Sequence, residues 1–418
     1  MQHFNYKNSE LYAEDVPVRK IADSIGTPLY IYSHKTILRH LDAYKEAFDG
    51  YPSTICFALK ANSNLAILKV LAKNGCGADV VSGGELYLAR KAGISAKKIV
   101  YAGVGKTDRE IAAALKARIM MFNVESSDEL RAINGIAGEL GVRAPIALRV
   151  NPDIDPQTHP YISTGLRKSK FGIPIEEALD YYRLARSLAN VEILGIHKHI
   201  GSQITKISPF IDALKRVILL AQTLRDDGIE IRNLDMGGGL GIPYKDEHPP
   251  LPRDLSRAVL PLLKGNRYNL VLEPGRSIMG NAGIFVTKVL YLKDHPEKDF
   301  VIVDGGMNDL LRPSLYDAFH NVLPVTRSRR KKVLVDVVGP ICESGDFLAK
   351  ERMLNRPQQE DLLAVMSSGA YGFTMSSNYN SRPRAAEVLV RGNQFSVIRE
   401  REQYKDLVKG IKIPDFLK

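Results

Sequence analysis

The sequence predicts an α/β barrel followed by an all-β domain, and three observations carry that prediction. Between residues 54 and 275, short apolar runs alternate with amphipathic stretches, and after residue 282 that rhythm gives way to strands joined by short turns. The length, 418 residues, exceeds what one ordinary core accommodates, so roughly two domains are expected. The apolar runs fall at 54–59, 78–81, 99–102, 120–124, 145–150, 192–199, 232–236 and 268–273. Runs that are apolar on both faces are what strands of a buried parallel sheet require. Eight βα units over about 220 residues match a (β/α)8, TIM-like barrel, whereas a doubly wound open sheet ordinarily holds fewer.

Taken in order, each of the first six runs is followed by a helical pattern: 64–74, 85–92, 108–117, 128–140, 175–189 and 209–225. Ser126 stands before Asp128 and Glu129, the arrangement of an N-cap and an acidic first turn, and Gly75, Gly93 and Gly141 lie where C-caps belong. Beyond the barrel, 284–293, 300–303, 333–338, 362–367 and 386–398 read as strands. The first 34 residues, with Pro28-Leu29-Tyr30-Ile31-Tyr32, are also strand-like. The expected division is therefore a barrel over 35–281 and a β domain made of 1–34 and 282–418.

Composition narrows the function classes. Apolar residues at 44% and charged residues at 25% describe a soluble globular chain. No apolar stretch is long enough to span a bilayer, and the N-terminus carries no signal-like apolar region, so no membrane partner and a cytoplasmic location are expected. Cys56, Cys76 and Cys342 are odd in number and scattered, which suits thiols in a reducing compartment, and neither they nor the nine histidines show metal-ligand spacing. The net charge of +11 raises the question of nucleic acid. Its sharpest cluster, residues 327–332, lies between strand-like segments and reads as a solvated hairpin loop without aromatic stacking motifs, so no nucleic-acid partner is expected.

The chemistry gathers at the strand ends, where barrels of this class place their active sites. The first strand ends in Lys60, the second leads out through Asp79, and the fifth carries Arg149. The sixth ends in His197-Lys198-His199-Ile200-Gly201-Ser202, the seventh in Gly237-Gly238-Gly239, and the eighth in Glu273-Pro274-Gly275-Arg276. A triple glycine alone is explained equally well by a tight turn. Joined to Ser202 before it and Gly275-Arg276 after it, it suggests a phosphate site at the late barrel strands. Lysine forms Schiff bases with carbonyl cofactors, although a snorkelling strand-end lysine is the plainer reading of Lys60 by itself. A lysine beside a phosphate site points to pyridoxal 5′-phosphate, with Glu273 and His199 able to serve the pyridine nitrogen and the ring face.

These blocks, together with Phe57-Ala58-Leu59-Lys60-Ala61-Asn62, Asp235-Met236-Gly237-Gly238-Gly239, Cys342-Glu343-Ser344-Gly345-Asp346 and Ala370-Tyr371-Gly372-Phe373, span nearly the whole chain. In order and spacing they resemble the diaminopimelate decarboxylases, in the alanine-racemase-like group of pyridoxal-phosphate enzymes. The resemblance implies that Lys60 carries the cofactor as a Schiff base, that His199 stacks on its ring, and that Glu273 keeps its nitrogen protonated. It implies cofactor contacts from Asp79, Ser202, Gly238, Gly239, Gly275, Arg276 and Tyr371. It further implies a homodimer whose active sites combine one barrel with Cys342 and Glu343 of the other subunit. Cys342 is then the expected proton donor, since a thiol of ordinary pKa near 8.5 is mostly protonated at neutral pH.

The distal end of the substrate selects among such decarboxylases. In meso-diaminopimelate that end carries a carboxylate and an ammonium. Arg276, Arg312 and Tyr316 suit the carboxylate, Glu343 suits the ammonium, and Tyr371 completes the expected substrate contacts. A diamine-type decarboxylase would leave those arginines unpaired. The segment 159–172 also resembles the diaminopimelate enzymes. An amino-acid racemase of the same group places arginine rather than glutamate at the pyridine nitrogen, which Glu273 argues against. A non-catalytic cofactor carrier resembles the barrel alone, which leaves the domain with Cys342 and Tyr371 unexplained.

Overall fold

Eight of the apolar runs fold as parallel strands that close on themselves. In the computed structural model, which describes residues 2–155, 164, 169–266 and 268–417, they are Ser53–Ala58, Gly77–Val80, Ile99–Tyr101, Met121–Val124, Ala144–Asn151, Val191–His197, Asn233–Asp235 and Asn269–Leu272. Each pairs with the next, and the eighth pairs with the first, Leu270 against Ser53, so no sheet edge remains. Cys56, Val100, Met121, Ala147 and Val271 fill the interior. The register decides what shares the rim: Ala58 lies opposite Asp79, His197 opposite Asp235, and Asp235 opposite Val271.

Caps of the kind the sequence suggests end the helices. Ser126 Oγ accepts from Glu129 N–H at the start of Ser127–Glu139, and Gly93 closes Gly83–Ala92 in the left-handed region at φ +88°. A helix not anticipated from the sequence, Pro252–Val259, bridges the seventh and eighth strands. The segment 159–172 lies for the most part outside the described residues, of which Thr164 and 169–172 belong to it.

Two units emerge, Leu38–Met279 with the barrel and a second made of Met1–Ile37 with Gly280–Lys418. The second unit is mainly β. Its long strand Gly283–Lys293 runs antiparallel to Leu29–Ser33, Leu362–Val365 and Asp299–Val303, and Leu29–Ser33 in turn runs parallel to Ala386–Arg391. Ile31, Ile284, Val286, Ala364 and Val388 are among the residues that form its core. Residues 386–398 resolve into a hairpin around Gly392, and an unanticipated strand, Phe347–Asn355, pairs with Lys332–Val338.

The basic run is not a hairpin loop. Val322–Pro324 pairs with Leu362–Val365, while Lys332–Val338 pairs with Asp299–Val303 and Phe347–Asn355, so the strands that flank the run do not pair with each other. Within it the Arg327 guanidinium lies 3.8 Å from the Tyr6 ring centroid, and Arg330 bonds Asp361 at 2.7 Å. Among the described residues no helix is long and apolar enough to cross a membrane.

Candidate active site

Lys60 follows the first barrel strand directly, in the single turn Leu59–Ala61. Its Nζ donates to Asp79 Oδ2 at 2.8 Å, and its side chain remains 38% exposed while that of Asp79 is fully buried. Burial and then the charge of Glu273 push the Asp79 carboxyl above the usual range, against the pull of Lys60. Asp79 Oδ1 has no hydrogen-bond partner among the described residues. A buried carboxylate thus holds an accessible amine at the rim.

Strands four, six, seven and eight supply a second polar cluster. His197 Nε2 lies 3.4 Å from Glu273 Oε2, and Asn123 Nδ2 reaches both Asp235 Oδ2 at 3.2 Å and Glu273 Oε1 at 3.3 Å. Burial would raise Glu273, but His197 against it, with Lys60 beyond, holds it well below the usual carboxylate range. Asp235 goes the other way: burial, then the charge of Glu273, pushes it well above that range. The two carboxyls are thus driven in opposite directions, as expected of two buried acids sharing one amide. Ligand atoms of His197, Asp235 and Glu273 lie within 4.8 Å of one another.

His199 follows two residues beyond His197, just past the end of the sixth strand. Its Nδ1 accepts from Gly238 N–H at 3.2 Å, so that nitrogen is bare. Burial, Arg149 and Lys60 all lower its pKa well below the ordinary value, and the ring is neutral. Lys198, between the two histidines, places its Nζ 5.3 Å from the Phe210 ring centroid, and burial lowers its pKa to about 8.

The glycines have packing reasons as well as conformational ones. A Cβ on Gly238 would sit 2.2 Å from Glu273 O, and one on Gly239, at φ +115°, would sit 2.6 Å from Gly201 O. At Gly275 a Cβ would crowd Ala58 and Ala61 at 3.1 Å. The turns therefore lie flat against the rim and present backbone rather than side chains. Beside them buried Arg276 donates to Ser202 Oγ through Nε at 3.2 Å and Nη2 at 3.0 Å, and through Nη1 to Tyr244 Oη at 2.7 Å.

Lys60, Asp79, His199, Ser202, Gly238, Gly239, Glu273, Gly275 and Arg276 all belong to the barrel unit. Arg149, also read as a rim residue, is taken up by buried Glu125 at 2.7 Å and by the Phe171 ring. Asn123 and Tyr244 were not singled out from the sequence, and His197 and Asp235 were quoted there within their motifs without a role, because these roles arise from cross-strand register and loop packing. The one available signal was the nearness of His197 to His199 in the sequence.

The other candidates belong to the β unit. Asp346 accepts from Met307 N–H and Ile341 N–H, both at 2.6 Å, and so clamps the turn that carries Cys342 and Glu343. Both of those residues are exposed, and Glu343 Oε2 accepts from Tyr379 Oη at 2.8 Å. Arg312 is buried and bonds His320, while Tyr316 ends the same short helix. Tyr371 sits at φ +57°, a left-handed conformation that a bulky residue adopts only where its surroundings impose it.

The barrel residues fit a pyridoxal phosphate. A rim amine, a buried carboxylate, a neutral flat ring and a flat glycine cradle beside a buried arginine are the groups its aldehyde, ring nitrogen, ring face and phosphate require. Comparison with known proteins agrees. The family model of the pyridoxal-dependent decarboxylases, for their pyridoxal-binding domain, matches residues 34–280. The chain is 54% identical over 408 residues to the diaminopimelate decarboxylase of Aquifex aeolicus, covering 97% of each. Among solved structures it is similar to the Helicobacter pylori enzyme of that name complexed with L-lysine, at 45% identity and TM-score 0.91, over 94% of this chain and 98% of that one. It is likewise similar to the one from M. jannaschii in complex with L-lysine, at 41% identity and TM-score 0.95, over 100% of both.

Proposed function

The chain belongs to the diaminopimelate decarboxylase family, and from that membership we infer how its residues divide the work of releasing CO2 from meso-diaminopimelate to leave L-lysine. It is a pyridoxal-phosphate-dependent carboxy-lyase, acting at the last step to lysine. When bound, the cofactor supplies a protonated ring that takes up the electron pair left by departing CO2. Lys60 holds the cofactor covalently, and Asp79 orients the amine. Glu273 would keep the proton on the ring nitrogen, and its carboxylate, buried at the end of the eighth strand with Oε2 3.4 Å from His197 Nε2, is the observation that carries the reading. His199 lies against the ring as a neutral imidazole and so adds no charge to compete with that proton. Ser202, Gly238, Gly239, Gly275, Arg276 and Tyr371 hold the phosphate.

Cys342 returns the proton, as a thiol acting as general acid. Arg276, Arg312, Tyr316 and Tyr371 bind the substrate, the arginines and Tyr316 at the distal carboxylate and Glu343 at the distal ammonium. The working unit is a homodimer in which Cys342 and Glu343 enter from the second subunit, a reading supported by their exposure in the single chain. Three free thiols suit a cytoplasmic setting.

The test is to incubate the purified protein with cofactor and meso-diaminopimelate and to measure CO2 and lysine. A site built to pair a polar group discriminates by about 10⁴ against an analogue that lacks it. Lysine and ornithine should therefore be very poor substrates by kcat/KM. Ornithine or arginine turning over within roughly tenfold of diaminopimelate, against that expectation, would overturn the substrate while leaving the decarboxylase intact.

A further inference from the structure

Arg312 opens a short helix, Arg312–Tyr316, that ends where Asp317 enters the left-handed region at φ +49°. The chain then doubles back. Ala318 N–H donates to Arg312 O at 3.4 Å, and the Phe319 ring lies 4.0 Å from the Arg352 guanidinium. His320 comes next, with no exposed surface. Just beyond it Val322–Pro324 pairs with Leu362–Val365, and Met366 N–H extends the ladder to Asn321 O at 2.8 Å. The backbone of His320 is thus fixed by a turn on one side and a sheet on the other.

Its imidazole bridges two groups that together dictate its state. Nδ1 lies 2.8 Å from Met366 O, and Nε2 lies 3.1 Å from Arg312 Nη1. A carbonyl only accepts, so Nδ1 carries the hydrogen, and a guanidinium only donates, so Nε2 is bare. This is one neutral tautomer. It directs the guanidinium without adding a negative charge of its own, as a carboxylate in that place would. A flexible arginine aimed in advance loses less conformational entropy when a ligand arrives.

We propose that His320 is a positioning residue that aims Arg312 at the distal carboxylate of the substrate, and so shares in setting specificity. This rests on the assignment of Arg312 to that carboxylate. The test uses the holoenzyme with His320→Leu, His320→Asn, His320→Gln and Arg312→Gln. Glutamine can place an oxygen near the position of Nε2 and still accept from Arg312, whereas asparagine keeps only the bond to Met366 O.

His320→Leu and His320→Asn should raise KM for meso-diaminopimelate about tenfold or more with kcat little changed, the loss expected for a hydrogen bond to a charged group that serves binding alone. L-Lysine keeps the distal carboxylate after CO2 leaves, so its Kd by calorimetry should rise in parallel. His320→Gln should stay near wild type in both. A His320→Gln variant as impaired as His320→Leu would reduce His320 to a structural role. Unchanged constants in His320→Leu, with both raised in Arg312→Gln, would overturn the proposal alone. Unchanged constants in Arg312→Gln would remove Arg312 from the distal site, and His320 with it.

Discussion

Glu273 and Asp235 lie at the ends of neighbouring strands, both buried and both bonded to Asn123, yet Glu273 is held below the usual carboxylate range and Asp235 is pushed above it. His197 Nε2 lies 3.4 Å from Glu273 Oε2 and contributes to that difference. Residue chemistry of this kind is open to direct test. Borohydride treatment of the holoenzyme followed by peptide mapping should label Lys60, and a label on another lysine would dismiss the assignment. Lys198 offers a separate prediction. Its amine is buried with no hydrogen-bond partner among the described residues, and its pKa is lowered to about 8 from an ordinary 10.5. Between those values the unfolded chain holds a proton that the folded chain has released, so stability rises with pH across that window. Below it both states are protonated and the whole penalty is present, about 3 kcal/mol at roughly 1.36 kcal/mol per pH unit. Lys198→Met should therefore melt higher than wild type at pH 7, and the gap should close toward pH 10. Parallel melting curves for the two proteins over that range would show that Lys198 is not the source.

At the scale of elements, the late strand ends are built so that backbone meets backbone. Gly238→Ala places a methyl 2.2 Å from Glu273 O, a main-chain atom with little room to yield. Overpacking of this sort costs about 1–3 kcal/mol or more, and here it also pushes Glu273 out of place. The variant should melt lower and require far more pyridoxal phosphate to develop cofactor absorbance, whereas wild-type absorbance would show that the turn has slack. The barrel strands were legible in the sequence because burial on both faces makes a parallel strand a continuous apolar run. Phe347–Asn355 was not, because Lys350, Glu351 and Arg352 interrupt its apolar residues and Glu351 enters the left-handed region at φ +52° where the register slips, so neither a continuous run nor a clean alternation survives. The cap residues and the motif residues Lys60, His199 and Glu273 were legible because their signals are local. The roles of Asn123, Asp235 and His320 were not, since Asn123 meets Asp235 and Glu273 across 112 and 150 positions and His320 is anchored to Met366 O across 46, contacts made only by register and chain reversal.

For the whole molecule, the exposure of Cys342 and Glu343 sets a requirement on assembly. A proton donor and a distal-charge reader in open water would have their interactions screened, so a site of this kind needs a second surface over them. If that surface is the barrel of a second copy, each active site takes Lys60 from one subunit and Cys342 from the other. Cys342→Ala alone should lose about 10²–10⁴ in kcat while retaining cofactor, the usual contribution of a general acid. Lys60→Ala should be inactive as well. A closed two-fold dimer gives these two defects a distinctive combination. In a mixed dimer one site carries both substitutions and the other carries neither, so the second site is intact. Unfolding and refolding the two variants together should restore activity that neither has when refolded alone, and the recovered kcat per intact site should equal that of wild type. No recovery, with mixed dimers demonstrated by differential tagging, would mean that each chain supplies both residues to its own site, and the shared-site reading would have to be abandoned.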